Sequence, residues 1–378
     1  MTDDSAETSI IASLADVLAA IIMVAGALLV FTRLIGWRGS TYAVLAHAAL
    51  PLTLLPVWFA LAMTAWRGHP IRFALSLMLC VIYVFSLYPA VRSSPSSRLA
   101  ASAGSAGRRL TVFSANVYVD NETDFTAQVR AQVQSEVQSQ VQSEVRSEVQ
   151  SQQADVLIFH ELTKPIEASL RRSGALNAYP YFADNGAEGT WRTVLFSRLP
   201  FASQPRQIQV AGSAGPGCPL LAVDVALQGG TVVRVIGAHP VPLTVRGADT
   251  AFVNTVRILQ DEVLRSRSEK TLIGGTPLIM AGDFNGSRWL PVTGQLFDNG
   301  IRDTHEAMGF GLSASWPREM GLVPRFMRLD HAFFSGPIAP VSLRDVVIPG
   351  SDHVGFTAQY VVGTDVFPVQ TSTETSVP

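Results

Sequence analysis

The sequence predicts an α/β layered domain that follows an apolar helical region, and two observations predict it. From Leu110 onward, short runs rich in Val, Ile and Phe alternate with longer polar or helical segments, as in domains of mixed strands and helices. Hydrophobic residues make up 48% of the chain and charged residues 15%, and the apolar excess is concentrated in the first ninety positions. A chain of 378 residues fits one large domain plus an accessory region.

Three apolar stretches, at about 10–32, 42–66 and 71–91, make up most of residues 1–92. Each is about as long as the roughly 20 residues that a helix needs to cross the hydrocarbon core of a bilayer. A cleavable signal peptide does not fit, because the chain opens with acidic residues and continues into three long apolar runs. A buried helical hairpin of a soluble protein is the alternative. We predict a three-helix transmembrane anchor and hence a multi-pass protein of the cell membrane.

The distribution of arginine predicts an orientation for this anchor. If all three helices cross, the first loop and the segment after the third helix share one side, and together they carry six arginines. The loop between the second and third helices carries two. The positive-inside rule then favours a cytoplasmic C-terminal domain and leaves the extracytoplasmic side as the alternative.

Three further segments differ in composition from a folded core. Residues 93–109 are rich in Ser, Ala and Gly and are predicted to be a flexible linker, and residues 364–378 are predicted to be a disordered tail. Residues 128–151 repeat a Val-containing tetrapeptide, which places the valines along one drifting stripe of a helix. This helix is either a partner-binding helix or a surface connection between two strands. The connection is favoured, because a period of four does not follow a coiled-coil seam.

Eight strands are predicted between residues 110 and 363, and several of them end in a polar residue. The apolar run LIMAGDFN ends in Asp283 and Asn285, for example, although Asp and Asn are also ordinary turn formers. Rigid strands present catalytic groups at their ends, so a repeated pattern of this kind indicates a site. The polar residues that begin or end strands are Asn116, Glu161, His239, Asp283, Asn285, Asp330, His331, Asp352 and His353.

These residue types favour one chemistry. Carboxylate and amide oxygens without a cysteine cluster suit a hard cation such as Mg²⁺ or Mn²⁺, and histidines beside carboxylates suit proton transfer or contact with an anionic oxygen. Together they fit hydrolysis of a phosphate ester. The charge is nearly balanced, with 28 Lys and Arg against 30 Asp and Glu, so binding to nucleic acid through bulk electrostatics is not favoured.

With these residues in this order, the chain resembles the endonuclease/exonuclease/phosphatase superfamily, and in particular its membrane-anchored bacterial branch. The ordered elements that carry the resemblance are SANVYV, ADVLIFHEL, TVLFSR, GAHPVPL, MAGDFNGS, SASWP, RLDHAFFS and GSDHVGF. They cover almost all of residues 110–363. The resemblance implies a four-layered α/β sandwich, in which two packed mixed β-sheets are flanked by helices.

The resemblance also implies roles for individual residues. Glu161 would bind the divalent metal directly, with Asn116 beside it, and Asp352 would tune His353 or contribute to a metal site. Asp283 would orient or deprotonate the attacking water, and either Asp283 or His353 would be the base. The remaining roles are phosphate binding by His239 and Asn285, orientation of His353 by Asp330, and a substrate-phosphate contact from Arg328.

Two positions depart from the family pattern. His160 stands where a Gln often precedes the metal-binding Glu, and Tyr118 stands where some nuclease members carry an acid. These departures weigh more against DNA repair than against hydrolysis. We therefore predict a membrane-anchored, Mg²⁺-dependent phosphoesterase, with Mn²⁺ as the alternative metal, acting on a phospholipid, an envelope lipid carrier or a small phosphorylated metabolite. The alternatives are a metal-dependent nuclease and a catalytically inactive membrane-tethered binding protein, and no protein partner is implied.

Overall fold

A computed structural model describes residues 3–35, 49–91, 108–120, 154–212, 218–245, 247–269, 275–318 and 324–363. The predicted repeat helix at 128–151 and the predicted tail at 364–378 lie outside the described residues, as does most of the predicted linker. The linker prediction extends to residue 109, but Arg108 and Arg109 already pair with a neighbouring strand.

Three helices precede the sheets: α1 (Asp3–Leu34), α2 (Leu50–Trp66) and α3 (Pro70–Val91). Two segments within them, Ile11–Leu34 and Pro70–Tyr88, are long and apolar enough to cross a membrane. Helix α2 is a shorter apolar helix of 17 residues, and residues 36–48 before it are outside the described part of the chain. The three predicted spans thus correspond to two candidate spans and one shorter helix.

The three helices form an antiparallel bundle. Gly26 of α1 allows a close approach, because a Cβ at this position would lie 3.3 Å from a methyl group of Val57. At one end of the bundle, Arg67 donates to Asp16 with a nitrogen–oxygen distance of 3.3 Å. At the other end, Trp289 of the following domain packs with Leu50 and the neighbouring apolar side chains of the bundle.

The rest of the described chain forms two six-stranded mixed sheets. The strands are β1 (Arg108–Asn116), β2 (Val156–His160), β3 (Tyr181–Asp184), β4 (Thr193–Ser197), β5 (Arg206–Ile208), β6 (Leu220–Ala226), β7 (Val232–Gly237), β8 (Leu278–Asp283), β9 (Arg302–Asp303), β10 (Asp330–Ser335), β11 (Ile338–Val347) and β12 (Val354–Val362). The first sheet has the order β11-β12-β1-β2-β4-β3 and the second β5-β6-β7-β8-β10-β9. Strands β1 and β2 are parallel, as are β7 and β8, and the other pairs are antiparallel. The helices among them are α4 (Lys164–Arg172), α5 (Asp249–Ser268), α6 (Pro291–Gly294) and α7 (Thr304–Ala307).

Alternating side chains along each central strand build the layers. On β2, Ile158 packs between the two sheets, whereas Leu157 and Phe159 face the outer layer that contains α4. On β8, Ile279 faces the other sheet and Met280 packs against α5. Because residues of a strand point alternately to opposite faces, a strand buried on both sides is apolar throughout. The predicted four-layered α/β sandwich is confirmed.

All eight predicted strands are present, and four more, β3, β5, β9 and β11, are not predicted. Two of these have only two or three residues. Strand β11 is long, but it is an edge strand that contains Pro340 and several half-buried or exposed polar residues, so its sequence lacks a continuous apolar run.

Strand pairing brings the polar strand ends together. Asn116 ends β1 beside the end of the parallel strand β2, and β12 begins next to them because it runs antiparallel to β1. In the second sheet, β8 ends at Asp283, directly opposite Asp330 at the start of β10. The same edge of both sheets therefore carries the candidate site.

Candidate active site

A pocket of about 250 Å³ opens at this edge of the sandwich. Its walls include seven of the nine predicted site residues, namely Asn116, Glu161, His239, Asp283, Asn285, Asp352 and His353. Asp330 lies behind His353 and is buried. Arg328 is the one predicted site residue that the fold places elsewhere.

The side-chain amide of Asn116 links two carboxylates. Its Nδ2 donates to Glu161 Oε1 and to Asp283 Oδ2, each at 3.0 Å, and its Oδ1 accepts from the backbone amide of Tyr118 at 2.9 Å. The other oxygen of Glu161 accepts from the amide of Val119 at 2.9 Å. These bonds hold two buried carboxylates side by side at the ends of β2 and β8.

Two histidines lie close to the same oxygen of the Asp283 carboxylate. His239 Nε2 and His353 Nε2 each lie 3.6 Å from Asp283 Oδ2, and His239 Nε2 lies 3.7 Å from Glu161 Oε1. The other ring nitrogen of His353 is 2.7 Å from Asp330 Oδ2. His353 therefore stands between two carboxylates, and Asp330 sets the orientation of its ring.

The charges of these groups control each other's protonation. Burial raises the pKa of Asp283, but His353 and His239 outweigh burial and lower the pKa below its usual value. Burial lowers the pKa of His353, but Asp330 and Asp283 raise it to about 10. The pKa of Asp330 is raised, chiefly by burial. At neutral pH an anionic Asp283 thus faces a protonated His353.

The backbone is strained at three positions of this pocket. Tyr118, Glu161 and Asn285 have positive φ angles of 63°, 61° and 46°, and no other non-glycine residue in the described part of the chain does. Such conformations cost energy and are retained where neighbouring contacts enforce them, often at functional sites. Each amide is held by a hydrogen bond: Tyr118 N to Asn116 Oδ1, Glu161 N to the carbonyl of Arg192, and Asn285 N to Asp283 Oδ1.

Two further polar side chains border the pocket. Asn285 Nδ2 donates to the carbonyl of Pro240 at 3.0 Å, which leaves its second N–H for another acceptor. Asp352 Oδ2 accepts from Trp316 Nε1 at 3.1 Å, whereas its buried Oδ1 has no hydrogen-bond partner among the described residues.

Arg328 lies on the other side of β10. Its guanidinium donates to Ser313, to the carbonyl of Asp330 and to His305 Nε2, and it lines a second cavity. In β10 the side chain of His331 also points away from the pocket, and it binds Asp303 at 2.7 Å. The predicted contact between Arg328 and the substrate phosphate in this pocket is therefore not supported by the geometry, because Ser313 and His305 hold the guanidinium in the second cavity.

The sequence of residues 114–353 matches the Endonuclease/Exonuclease/phosphatase family. The chain belongs to this family. The family groups hydrolases of phosphodiester bonds, so a hydrolase is the class of enzyme that membership indicates. The membrane-anchored bacterial branch stays a prediction, since the match begins after the helical region.

The chain is similar to several solved structures. TDP2 from Caenorhabditis elegans matches with a TM-score of 0.50 and 15% identity, over 83% of this chain and 93% of that one. A family protein from Beutenbergia cavernae matches with a TM-score of 0.49 and 17% identity, over 68% and 72% of the two chains. The human Nocturnin catalytic domain with a bound sulfate anion matches with a TM-score of 0.47 and 15% identity, over 68% and 95%. A comparison with curated protein sequences gave no match.

The residues of this Endonuclease/Exonuclease/phosphatase site fit a hard divalent cation. Three carboxylates, of Glu161, Asp283 and Asp352, line one small pocket, and one oxygen of Asp352 is buried without a hydrogen-bond partner. Across the described ranges, no three His, Cys, Asp or Glu side chains form a ready-made metal cage. Mg²⁺ does not need one, because it is commonly bound by one or two carboxylates together with water and substrate phosphate.

The sequence analysis did not predict the aromatic side chains that line the pocket or the buried histidine that lies below it. Trp191 lies against His239, with ring centroids 5.9 Å apart, and Trp316 lines the pocket near Asp352. His160 is fully buried below the site and binds Thr193 through Nδ1 at 3.0 Å. Burial and the neighbouring His239 lower the pKa of His160 to about 3, so its ring is neutral. The SASWP element is the only sequence signal for this wall, and it does not reveal which side Trp316 faces.

Proposed function

We propose that this protein is a membrane-anchored, divalent-metal-dependent phosphoesterase that hydrolyses a phosphate mono- or diester. The observation that carries the proposal is the position of Asp283, whose anionic carboxylate has two histidines close to one oxygen and is linked by Asn116 to Glu161. Hydrolysis of a phosphate ester requires a base for the attacking water, a cationic side chain near that base and a carboxylate that can bind a metal. One pocket contains all three.

Each residue has a role that follows from its contacts. Asp283 orients the attacking water and accepts its proton, because the pKa of Asp283 is low enough to keep the carboxylate ionised at neutral pH. His353 donates a hydrogen bond to a phosphoryl oxygen through Nε2, while Asp330 holds Nδ1. His239 and the free N–H of Asn285 bind the other phosphoryl oxygens.

Glu161 would hold the metal, Mg²⁺ or Mn²⁺, with Asn116 beside it and Asp352 in the same pocket. When bound, a divalent cation neutralises charge that develops on the phosphoryl oxygens. The strained backbone at Glu161, held by the carbonyl of Arg192, fixes where this carboxylate points.

Exposed apolar side chains support the membrane anchor. Only 11% of the candidate span in α1 and 28% of the span in α3 are buried. Leu14 is 64% exposed and Phe85 is 72% exposed. The core helix of a soluble protein buries its apolar face, whereas these helices present apolar side chains outward. The arginine distribution favours a cytoplasmic catalytic domain, and reporters active on only one side of the membrane, fused after Gly363, test this orientation.

The side chains that line the pocket also indicate what kind of substrate it would accept. Besides the acids and histidines it is lined by Trp191, Leu243 and Trp316, so the group next to the phosphate meets an apolar and aromatic wall. A phospholipid, an envelope lipid carrier and a small phosphorylated metabolite with an apolar portion all fit this description.

Hydrolysis of generic substrates by the full-length chain in detergent tests the proposal. We expect turnover of bis-p-nitrophenyl phosphate or p-nitrophenyl phosphate that requires Mg²⁺ or Mn²⁺ and is abolished by EDTA. Asp283→Asn and Glu161→Gln are expected to lower kcat/KM by about 10³-fold. Asp298→Asn and Asp261→Asn, which change exposed acids outside the pocket, serve as matched controls and are expected to keep full activity.

Two outcomes would replace this proposal. Efficient cleavage of plasmid DNA with no turnover of small esters would identify a nuclease. Equal inactivity of the wild type and the Asp283→Asn variant on diester, monoester and lipid-pyrophosphate substrates would identify an inactive membrane-tethered binding protein.

A further inference from the structure

A second cavity of about 130 Å³ lies where the helical bundle meets the catalytic domain. Pro51 and Leu52, in the first turn of α2, form one wall, and Trp289 lies beside them. The opposite wall belongs to the catalytic domain and contains Arg325 and Arg328. No described residue lines both this cavity and the catalytic pocket, so the two are separate sites.

Arg328 places an incompletely neutralised positive charge in this wall. Its side chain is only 5% exposed, and its hydrogen bonds go to uncharged partners, a carbonyl and a hydroxyl of Ser313, the carbonyl of Asp330 and the ring of His305. Among the described residues, the nearest carboxylate is Asp345, at 3.6 Å. In the same part of the chain, this carboxylate is also the nearest one to Arg325, at 3.9 Å. Two guanidinium groups share it, and a buried charge without a full counterion favours an anionic ligand.

His305 adds an unused hydrogen-bond donor. A guanidinium only donates, so His305 Nε2, 2.7 Å from Arg328 Nη1, is an acceptor and the ring proton is on Nδ1. This Nδ1 faces Asp303 Oδ1 at 3.6 Å, longer than an ordinary hydrogen bond, and makes no shorter one among the described residues. The His305 side chain is 1% exposed and lines the cavity. A buried donor whose acceptor is this distant is poorly satisfied, and an oxyanion in the cavity would satisfy it.

The acidic side chains of the cavity already have partners. Asp303 accepts from His331 Nδ1 at 2.7 Å and from the backbone amide of His305 at 2.6 Å. Burial, followed by the charge of Asp303, raises the pKa of Glu306 to about 8, and its carboxyl contacts Arg288. The groups that remain available are thus the guanidinium of Arg325, the charge of Arg328 and the N–H of His305, all of which attract an anion.

The position of the cavity indicates the source of that anion. One wall is the end of the apolar bundle, where Leu50 and Trp289 pack together, and the other wall contains Arg325, Arg328 and His305. With the bundle in a bilayer, this boundary lies at the depth of the lipid phosphates, where basic pockets beside transmembrane helices bind headgroups. We propose that the cavity binds the phosphate of an anionic phospholipid headgroup, a proposal that rests on the membrane anchoring proposed above.

Thermal unfolding of the full chain in nanodiscs tests this proposal. The chain is placed in nanodiscs of phosphatidylcholine alone or of phosphatidylcholine with phosphatidic acid, and inorganic phosphate is added to the detergent-solubilised chain in a parallel series. We expect phosphatidic acid to raise Tm by about 3 °C. Arg325→Gln, at a side chain that is 43% exposed, should fold normally and lose this increase. Arg172→Gln, at an exposed arginine that does not line the cavity, is the matched control and should keep it.

Each result decides the proposal. No increase with phosphatidic acid, or an equal increase in Arg325→Gln, would overturn it, since the lipid would then bind elsewhere. An increase with inorganic phosphate and none with the lipid would identify a soluble oxyanion and would also overturn it. Hydrolysis of p-nitrophenyl esters by the same samples reports separately on the proposed function, because Arg325 lies outside the catalytic pocket.

Discussion

Asp283 and Asp330 face each other directly across the antiparallel pair β8–β10, at the edge where both strands open into the site. Like charges at directly opposed positions of a sheet destabilise it. Here His353 lies between them, 2.7 Å from Asp330 and 3.6 Å from Asp283. The two carboxylates keep the histidine protonated, and the protonated histidine in turn keeps Asp283 ionised.

Replacing Asp330 by Asn should impair catalysis through His353. Loss of this carboxylate lowers the pKa of His353 from about 10, so the ring loses its proton at a lower pH than in the wild type. We expect kcat to fall by about 10²-fold and the alkaline limb of the pH–rate profile to move to lower pH. Asp298→Asn is the control, and an unchanged alkaline limb in Asp330→Asn would rule out this role of Asp330.

Replacing Arg192 by Met should destabilise the fold and disturb Glu161. Arg192 is 4% exposed, pairs with Glu167 at 2.6 Å, and its own carbonyl accepts from the amide of Glu161. Removing one partner of a buried pair costs about 3 kcal/mol of unfolding free energy. We expect that loss in chemical denaturation, together with a higher Mg²⁺ concentration for half-maximal activity.

Arg171 provides the matched control for Arg192, because it pairs with the same Glu167 from a side chain that is 46% exposed. Arg171→Met should cost less than about 1 kcal/mol. Equal destabilisation by the two substitutions would show that burial of the Arg192 pair has no special role.

Replacing Gly282 by Ala should be severely destabilising. Gly282 has a φ of 151°, and a Cβ there would lie 2.2 Å from the carbonyl oxygen of Ala238 and 2.4 Å from His160 Nε2. Neither atom can move without displacing a central strand, so we expect a loss of about 3 kcal/mol or more and a loss of activity. At Gly294 a Cβ meets only the carbonyl oxygen of Arg288, at 3.8 Å, so Gly294→Ala should be neutral or slightly stabilising. A normal Tm for Gly282→Ala would contradict the described packing.

Lowering the pH should reduce the stability of the fold, because His305 is buried and its pKa is low. Burial, followed by the charge of Arg328, lowers the pKa of His305 from 6.5 to about 4. The unfolded chain therefore binds more protons than the native chain between these values, and stability falls as the pH falls from about 6.5 to about 4. The shift corresponds to about 3 kcal/mol. His305→Gln keeps an acceptor for Arg328 but does not titrate, so its loss of stability between neutral pH and pH 4 should be smaller by about that amount. Chemical denaturation of the detergent-solubilised chain at both pH values measures the difference, and equal pH dependence in the variant would contradict it.

Much of the fold and most of the site could be predicted from the sequence because the signals are local. A central strand buried on both faces is a continuous apolar run, so β1, β2, β7 and β8 are visible without a structure. A polar residue at the end of such a run is equally visible, as Asn116, Glu161 and Asp283 show.

Arg328 shows where this reasoning failed. It stands next to the predicted site in sequence, and phosphate binding is an ordinary role for arginine. Its side chain nevertheless lies in the second cavity, where it donates to Ser313 and to His305. Both partners are brought to Arg328 by the tertiary fold, so the residues next to Arg328 in the sequence do not reveal where its side chain lies.

The amino-acid sequence alone is enough to identify an apolar helical region, an α/β sandwich and the acids, amides and histidines of a hydrolytic site, because each of these has a local pattern. The spatial relationships come from packing between distant segments. The opposition of Asp283 and Asp330, the insertion of His353 between them and the meeting of α2 with Trp289 join residues far apart in the chain. Such contacts form only when two sheets and a helical bundle bury their apolar surfaces together, and no local pattern specifies their geometry.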